Sequence, residues 1–282
     1  IENDVVGAPC GIMDQMTVAC GEAGVLFALR CQPATREPSP PWLSELAVWG
    51  VDSGVRHAVT GADYSDVRVG AFMGYRYLAE ALGFRAEPRD GHVVVHDPRF
   101  GGHLANVPPA LWAELEAHVP VSVGGASFLE RFGGTTDRVT HVDPTRTYAV
   151  RTPTAHPIFE NARVETFAAG LARARSEVDF VALGALMYGS HASYSACGLG
   201  SGATDALVDA VRARGAGAGL YGAKITGGGS GGTVAILGHR DAAAEVHAIA
   251  RAHAEATGTR AHVFEGSSPG AGAFGTLCVQ LP

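Results

Sequence analysis

The chain has 282 residues, 46% of them hydrophobic, enough to bury a sizeable core and to make two domains or parts of them. Its 21 Lys and Arg against 28 Asp and Glu leave a net charge of −7 with no basic cluster, which argues against nucleic acid or an anionic membrane as partner; no apolar run approaches the ~18 residues of a membrane span. With no transmembrane or secretory segment visible, the expected compartment is cytoplasmic, and five cysteines without C-x-x-C spacing are expected there as reduced, mostly buried thiols.

Glu2 to Pro9 reads as a polar loop. After it Ile12, Met16 and Ala19 recur at helical spacing until Gly21 and Gly24 stop the segment. Asp14 falls in the first turn of that helix, where the peptide dipoles favour a carboxylate; taken alone it is dipole-complementing surface charge. Val25 to Cys31 and Leu46 to Val51 suggest two strands of an antiparallel meander, joined by the proline-rich turn Pro33 to Pro41. Asp52-Ser53-Gly54 punctuates the chain, with Arg56 and His57 next. A long helix follows from about Tyr64 to Leu82, with Val67, Ala71, Tyr75, Leu78 and Leu82 on one face and Gly83 as its stop. Tyr64 begins this helix and Arg68 lies one turn on; composition alone makes Tyr64 a packing residue.

Residues 85–108, rich in Pro, Gly, His and Asp, suggest an irregular insertion extending towards 130, with short helices over Pro109 to Ala117 and Phe128 to Phe132. His141 to Val150 reads as extended. Pro153 and Pro157 frame the entry to a helix from about Ile158 to Ala174, and Val178 to Ser193 makes another. The charges Arg173, Arg175, Glu177 and Asp179 between them fit a solvated turn. Ser201 is a candidate cap for a helix from Ala203 to Arg214.

Between Gly222 and Leu237 the chain is densest in glycine: five of the six positions from Gly227 to Gly232. Glycine reaches positive φ without strain and admits close approach of another group, at a cost in chain entropy. Gly227, Gly229 and Gly232 satisfy G-x-G-x-x-G, and Gly228-x-Ser230-x-Gly232 matches a nucleophile elbow, but both need a helix to follow, and Thr233 to Leu237 reads as a strand. A P-loop fails for want of a lysine after Gly232. A strand, glycine loop, strand unit remains, either a loose hairpin tip or a loop packed near a phosphate or a neighbouring domain. With a helix over Ala242 to Thr257, a strand over Ala261 to Glu265 and a closing strand from Gly275 to Leu281, the C-terminal part suggests a split βαβ sandwich of ferredoxin type.

Cys10-Gly11-Ile12-Met13-Asp14-Gln15, Asp52-Ser53-Gly54-Val55-Arg56-His57, Tyr64 with Arg68, and Gly222 to Gly232, in that order, resemble the galactokinase branch of the GHMP small-molecule kinases. Val6 to Met16, Thr154 to Asn161, Ser193 to Gly200 and Phe264 to Gly272 are similar to plant-type L-arabinokinases in particular. The resemblance covers nearly the whole chain. It implies an α+β fold: residues 1–45 as the end of an N-terminal ATP- and sugar-binding domain, and 46–282 as a ferredoxin-like C-terminal domain.

It further implies an ATP- and Mg2+-dependent kinase that phosphorylates the anomeric hydroxyl of a monosaccharide, L-arabinose or galactose. Asp14 would be the catalytic carboxylate facing that hydroxyl. Gly11 would leave room for the ring, and Tyr64 would hydrogen-bond sugar hydroxyls. Glu2, twelve residues before Asp14, matches a glutamate that helps hold Mg2+. Gly227, Gly228, Gly229, Ser230, Gly231 and Gly232 resemble the motif that packs beside the nucleotide, Ser230 standing where galactokinases commonly carry a bulky aromatic. The family's other sugar-binding motif and its ATP-cradling loop are expected before Ile1, so the chain is expected to be a fragment without turnover of its own. The competing class is a non-catalytic sugar-binding protein on the same scaffold. His57, His141, His156 and His191 lack ligand spacing and read as satisfied imidazoles.

Overall fold

The computed structural model describes residues 11–31, 34–56, 62–89, 92–276 and 278. The first helix, α1 (Met13–Cys20), ends where Gly21 turns extended, its N–H donating to Thr17 O at 2.9 Å; none of its residues is buried. Strands β1 (Leu29–Arg30) and β2 (Thr35–Arg36) pair with each other. The expected meander is not formed, because β3 (Leu46–Asp52) joins a different sheet. A seven-residue strand burying Leu46, Trp49 and Val51 needs long apolar partners, which a two-residue strand cannot supply.

Helix α2 (Ala62–Ala81) leads into a hairpin of β4 (Ala86–Arg89) and β5 (His92–Val95), then α3 (Pro109–Leu115), β6 (Ser122–Gly124), α4 (Gly125–Phe132) and β7 (Thr147–Ala149), which pairs with β6. Residues 85–130 are therefore not irregular. Asp97 organises their central turn, accepting from the amides of Arg99, Phe100 and Gly102 and from the Tyr75 hydroxyl. Phe100, Val107, Trp112, Val119 and Phe128 then bury against Met73 and Leu78 of α2 and Ile158 of the next helix, making a core of their own.

That helix, α5 (Arg151–Arg173), starts seven residues earlier than its prolines suggest. After it come α6 (Glu177–Ala196) and α7 (Gly202–Arg214), with capping boxes at Ser176 with Asp179 and at Ser201 with Thr204. The charged stretch expected as a turn thus runs into α6, where Asp179 completes the capping box. Strands β8 (Leu220–Ile225) and β9 (Thr233–His239), helix α8 (Ala243–Thr257) and strand β10 (Val263–Phe264) follow. The sheet order is β10-β3-β9-β8, every neighbour antiparallel, the order of a ferredoxin-like βαββαβ unit whose first strand is β3. Trp49, Val51, Val234 and Ile236 of the sheet pack on Leu207 and Val211 of α7 and Val246 and Ile249 of α8. Helix α6 lies directly on β8: a Cβ at Gly184 would fall 1.8 Å from Tyr221 O.

Gly275, Thr276 and Cys278 lie outside any strand, and the rest of the expected closing strand falls outside the described residues. Of the described cysteines, all free thiols, Cys197 is buried but Cys20, Cys31 and Cys278 are exposed. The expectation of mostly buried thiols fails there because α1, which ends on Cys20, buries none of its residues and β1, just before Cys31, pairs only with the exposed β2.

Candidate functional site

A cleft of about 770 Å³ opens between α1, α2, the start of α5, the end of α6 and the glycine turn that joins β8 to β9. Helical spacing builds its walls. Gly11, Asp14, Gln15 and Val18 face it from the α1 side, and Tyr64, Val67, Arg68 and Ala71 from α2. The stripe expected as core on α2 therefore divides: Val67 and Ala71 line the cleft, while Tyr75 and Leu78 are buried. Pro153, His156 and Pro157 of α5, Tyr194 of α6, and Leu199 close the far side, and Gly227 and Gly228 form the glycine edge.

Tyr64 is braced by charge. Arg68, which interacts with the Tyr64 phenol, donates from Nε and Nη2 to the two oxygens of Asp137 at 2.7 and 2.9 Å. Burial alone would push the Asp137 carboxyl up. Hydrogen bonds from Arg68 and Thr140 outweigh it and hold the group at about 2, a side chain only 4% exposed.

On the opposite side, the His156 ring meets the Tyr194 ring edge-on at 4.9 Å and its Nδ1 lies 2.7 Å from Ser193 Oγ. Burial lowers the His156 pKa against the pull of Glu160, so the imidazole is neutral at pH 7. Glu160 is itself enclosed by Lys224 at 3.0 Å, Arg163 at 2.8 Å and Ser190 at 2.5 Å. Burial would raise its carboxyl, but the Lys224 charge and these bonds keep it below the ordinary range. Tyr194, pushed up to about 12 by burial first and then by Glu160, stays protonated and donates to Gly227 O at 3.0 Å.

The glycine turn is not a loose tip. Ser230 N donates to Leu199 O and Gly232 N to Val55 O, while Gly232 O accepts from Ser53 N. A Cβ at Gly229 would lie 2.6 Å from Leu199 O, and one at Gly231 2.6 Å from Val55 O, so glycine is required by close approach and by positive φ together. Ser230 itself sits at φ 58° with its hydroxyl buried and unpartnered. Strand β9 follows at once, which denies the turn the helix N-terminus of a dinucleotide or nucleophile-elbow site.

Of the sequence-derived site residues, Gly11, Asp14, Tyr64, Gly227 and Gly228 meet on this cleft. Gly229 and Ser230 stand behind its edge on Leu199, and Gly231 and Gly232 on Val55. Glu2 lies outside the described residues, among which no group of three or more His, Cys, Asp and Glu is placed to hold a metal. Sequence reasoning missed His156 and Tyr194 as wall residues. A test for ligand spacing cannot find a histidine whose partners are a serine and a tyrosine ring 37 and 38 positions on. His191, by contrast, is a satisfied core imidazole between Ile225 N and Asp205.

Residues 171–256 match the family model described as GHMP kinases C terminal. An L-arabinokinase of Arabidopsis thaliana is 41% identical over 99% of this chain, which covers 29% of that protein. Galactokinases of Chloroflexus aurantiacus and Streptomyces coelicolor are 31% and 32% identical over 92% and 96% of the chain, covering 54% and 57% of those proteins. The structure of Lactococcus lactis galactokinase complexed with galactose aligns with a TM-score of 0.68 at 17% identity, over 95% of this chain and 57% of that one, a likeness of fold. The chain thus spans between under a third and somewhat over half of the relatives it matches.

Proposed function

Because this chain belongs to the GHMP kinase family, we propose that it supplies the acceptor side of an ATP-dependent sugar 1-kinase, which transfers the γ-phosphoryl of ATP to the anomeric hydroxyl of a monosaccharide. The observation that carries this reading is the convergence of Asp14, Tyr64 and the edge Gly227–Gly228 on one cleft, from positions more than two hundred residues apart. Asp14 is exposed to that space on the first turn of α1 and accepts the proton of the attacking hydroxyl. Tyr64, braced through Arg68, binds a second sugar hydroxyl. Gly11 keeps ring space open, since a Cβ there would meet nothing within 4 Å. Val18, Val67, Ala71 and Leu199 supply apolar cover for the C–H face of the ring.

ATP with Mg2+ is the co-substrate, and of the glycine turn's amides those of Ser230 and Gly232 are already spent on protein carbonyls and do not serve a phosphate. The proposed Mg2+ ligand of this chain is Glu2. Residues 1–45 are assigned to the sugar- and nucleotide-binding domain and 46–282 to the ferredoxin-like one. L-arabinose and galactose are the candidate acceptors. A cytoplasmic setting fits an ATP-dependent enzyme, and no described helix is long and apolar enough to cross a membrane.

The test is ADP release by the longer protein with L-arabinose or galactose. Asp14→Ala is expected to reduce kcat by about 10²–10⁴-fold, the range for losing a positioned acid or base, while sugar binding persists. Sugar binding without any ADP release by the unmodified protein would replace the enzyme with a binding module. The 282 residues alone are expected to release no ADP above background, and robust release from them would overturn the division into acceptor and donor sides.

A further inference from the structure

The glycine turn is held in two different ways along its length. Its second half is fixed by main chain to main chain, Ser230 N to Leu199 O and Gly232 N to Val55 O. Its first half, the part that edges the cleft, is held by a side chain: Tyr194 Oη donates to Gly227 O at 3.0 Å. Tyr194 also lines the cleft beside Gly227 and Gly228.

The tyrosine is itself gripped. His156 of α5 abuts its ring edge-on at 4.9 Å, and Lys224 Nζ of β8 lies 5.8 Å from the ring centroid, pinned there by Glu160 at 3.0 Å. Two elements, α5 and β8, thus fix one phenol, and the phenol fixes one carbonyl. Gly228, the next residue, would place a Cβ 3.6 Å from the Tyr64 ring, so where Gly227 goes decides how far the turn leans on Tyr64.

We propose that Tyr194 is a positioning residue for sugar: its hydroxyl sets the cleft-facing edge of the glycine turn against Tyr64 and so sets the width of the acceptor pocket. The proposal rests on the kinase reading for its consequence but not for its latch. A donor to a glycine carbonyl leaves the turn's amides unchanged, so the latch acts without using a group that a ligand would need. The polar cluster around Glu160 thereby reaches the pocket, though none of Glu160, Arg163 and Lys224 lines it.

Tyr194→Phe keeps the ring and its contacts and removes the one donor. Hydrogen exchange on this chain is expected to accelerate by about 3–10-fold at residues 227–229, the range for one neutral hydrogen bond, with α2 and α5 unchanged. In the longer protein the KM for sugar is expected to rise by about the same factor with kcat within about twofold, the signature of lost ground-state binding. Should Tyr194→Phe lower the thermal midpoint of the whole chain, His156→Ala serves as the second variant, expected to shift exchange at 227–229 in the same direction by loosening the ring. Unchanged exchange at 227–229 in Tyr194→Phe, or faster exchange with KM at its original value, overturns the proposal. Asp14→Ala measured alongside separates the two readings: if it transfers phosphoryl at full rate the kinase reading of this cleft fails, whatever the exchange data show.

Discussion

Helix α1 buries none of its side chains, whereas the glycine turn across the cleft is packed so closely that two of its glycines could not carry a Cβ. The carboxylate proposed to act on the sugar stands on the weakly held wall. The opposite wall is held by main-chain bonds at Ser230 and Gly232 and by close contacts at Gly229 and Gly231, and the neighbouring α2 wall by the Arg68–Asp137 ion pair behind Tyr64. The contrast teaches that the two walls contribute differently: one must be shaped and the other must be chemically placed. Substitutions on the turn side should cost stability first, and those on the α1 side activity first.

Gly231→Ala is the strongest test of that division. With φ at 135° and Val55 O 2.6 Å from the new Cβ, it is expected to cost about 2–4 kcal/mol in denaturant unfolding. Gly11→Ala, on the other wall, is expected to stay within about 0.5 kcal/mol of the parent and to act on sugar KM alone. Equal losses at the two positions would erase the distinction.

The ion pair behind Tyr64 gives an effect of middle size. Asp137 has its folded pKa depressed to about 2 from the ordinary aspartate value of 3.8, so its contribution is full above pH ~4 and is lost as pH falls through the folded value. Urea titrations should show about 2 kcal/mol of stability disappearing between pH ~4 and ~2 from this group. Asp137→Asn should lack that component and be the less stable protein at pH 6. A wild-type profile that is flat over this window would remove the pair from the rigid wall.

A small, mainly local effect is expected where α1 is tied down. Gly270 N donates to Gly21 O at 2.7 Å, and a Cβ at Gly270 would fall 2.6 Å from Gly21 N and 2.9 Å from Ala19 O. Gly270→Ala should therefore speed hydrogen exchange over residues 13–20 while changing global stability by less than about 1 kcal/mol, because the helix buries nothing. A large global loss would mean that α1 belongs to the core after all.

What could be foreseen from residues alone follows the range of the interactions. The β8–β9 hairpin, the stop of α2 at Gly83 and the Ser201 cap of α7 were legible because each depends on neighbours within a few positions. The partner of β3 was not, since an apolar strand carries no mark of which distant strand it will meet. The start of α5 was hidden by chemistry that usually means the opposite. Pro153 is the third residue of the helix, where an amide has no carbonyl within the helix to reach, and the ring of Pro157, inside the helix, faces the cleft. In the site, Asp14 and Tyr64 could be named only through their resemblance to known motifs, because an exposed aspartate and a helix-start tyrosine look ordinary. His156 and Tyr194 gained meaning from each other, and that meeting is tertiary.

Strand β3 pairs with β9 from Leu46 opposite His239 to Asp52 opposite Thr233, so it emerges from the ribosome roughly 180–190 residues ahead of its partner. At translation speeds of about 5–20 residues per second that is a wait of roughly 10–40 s for a segment as sticky as Leu-Ala-Val-Trp-Gly-Val. The helices made in the interval can assemble round Phe128 and Trp112 without it. Until β9 is made the nascent chain therefore carries an unpaired apolar strand, and slowing synthesis between β3 and β9 should raise its yield of aggregates.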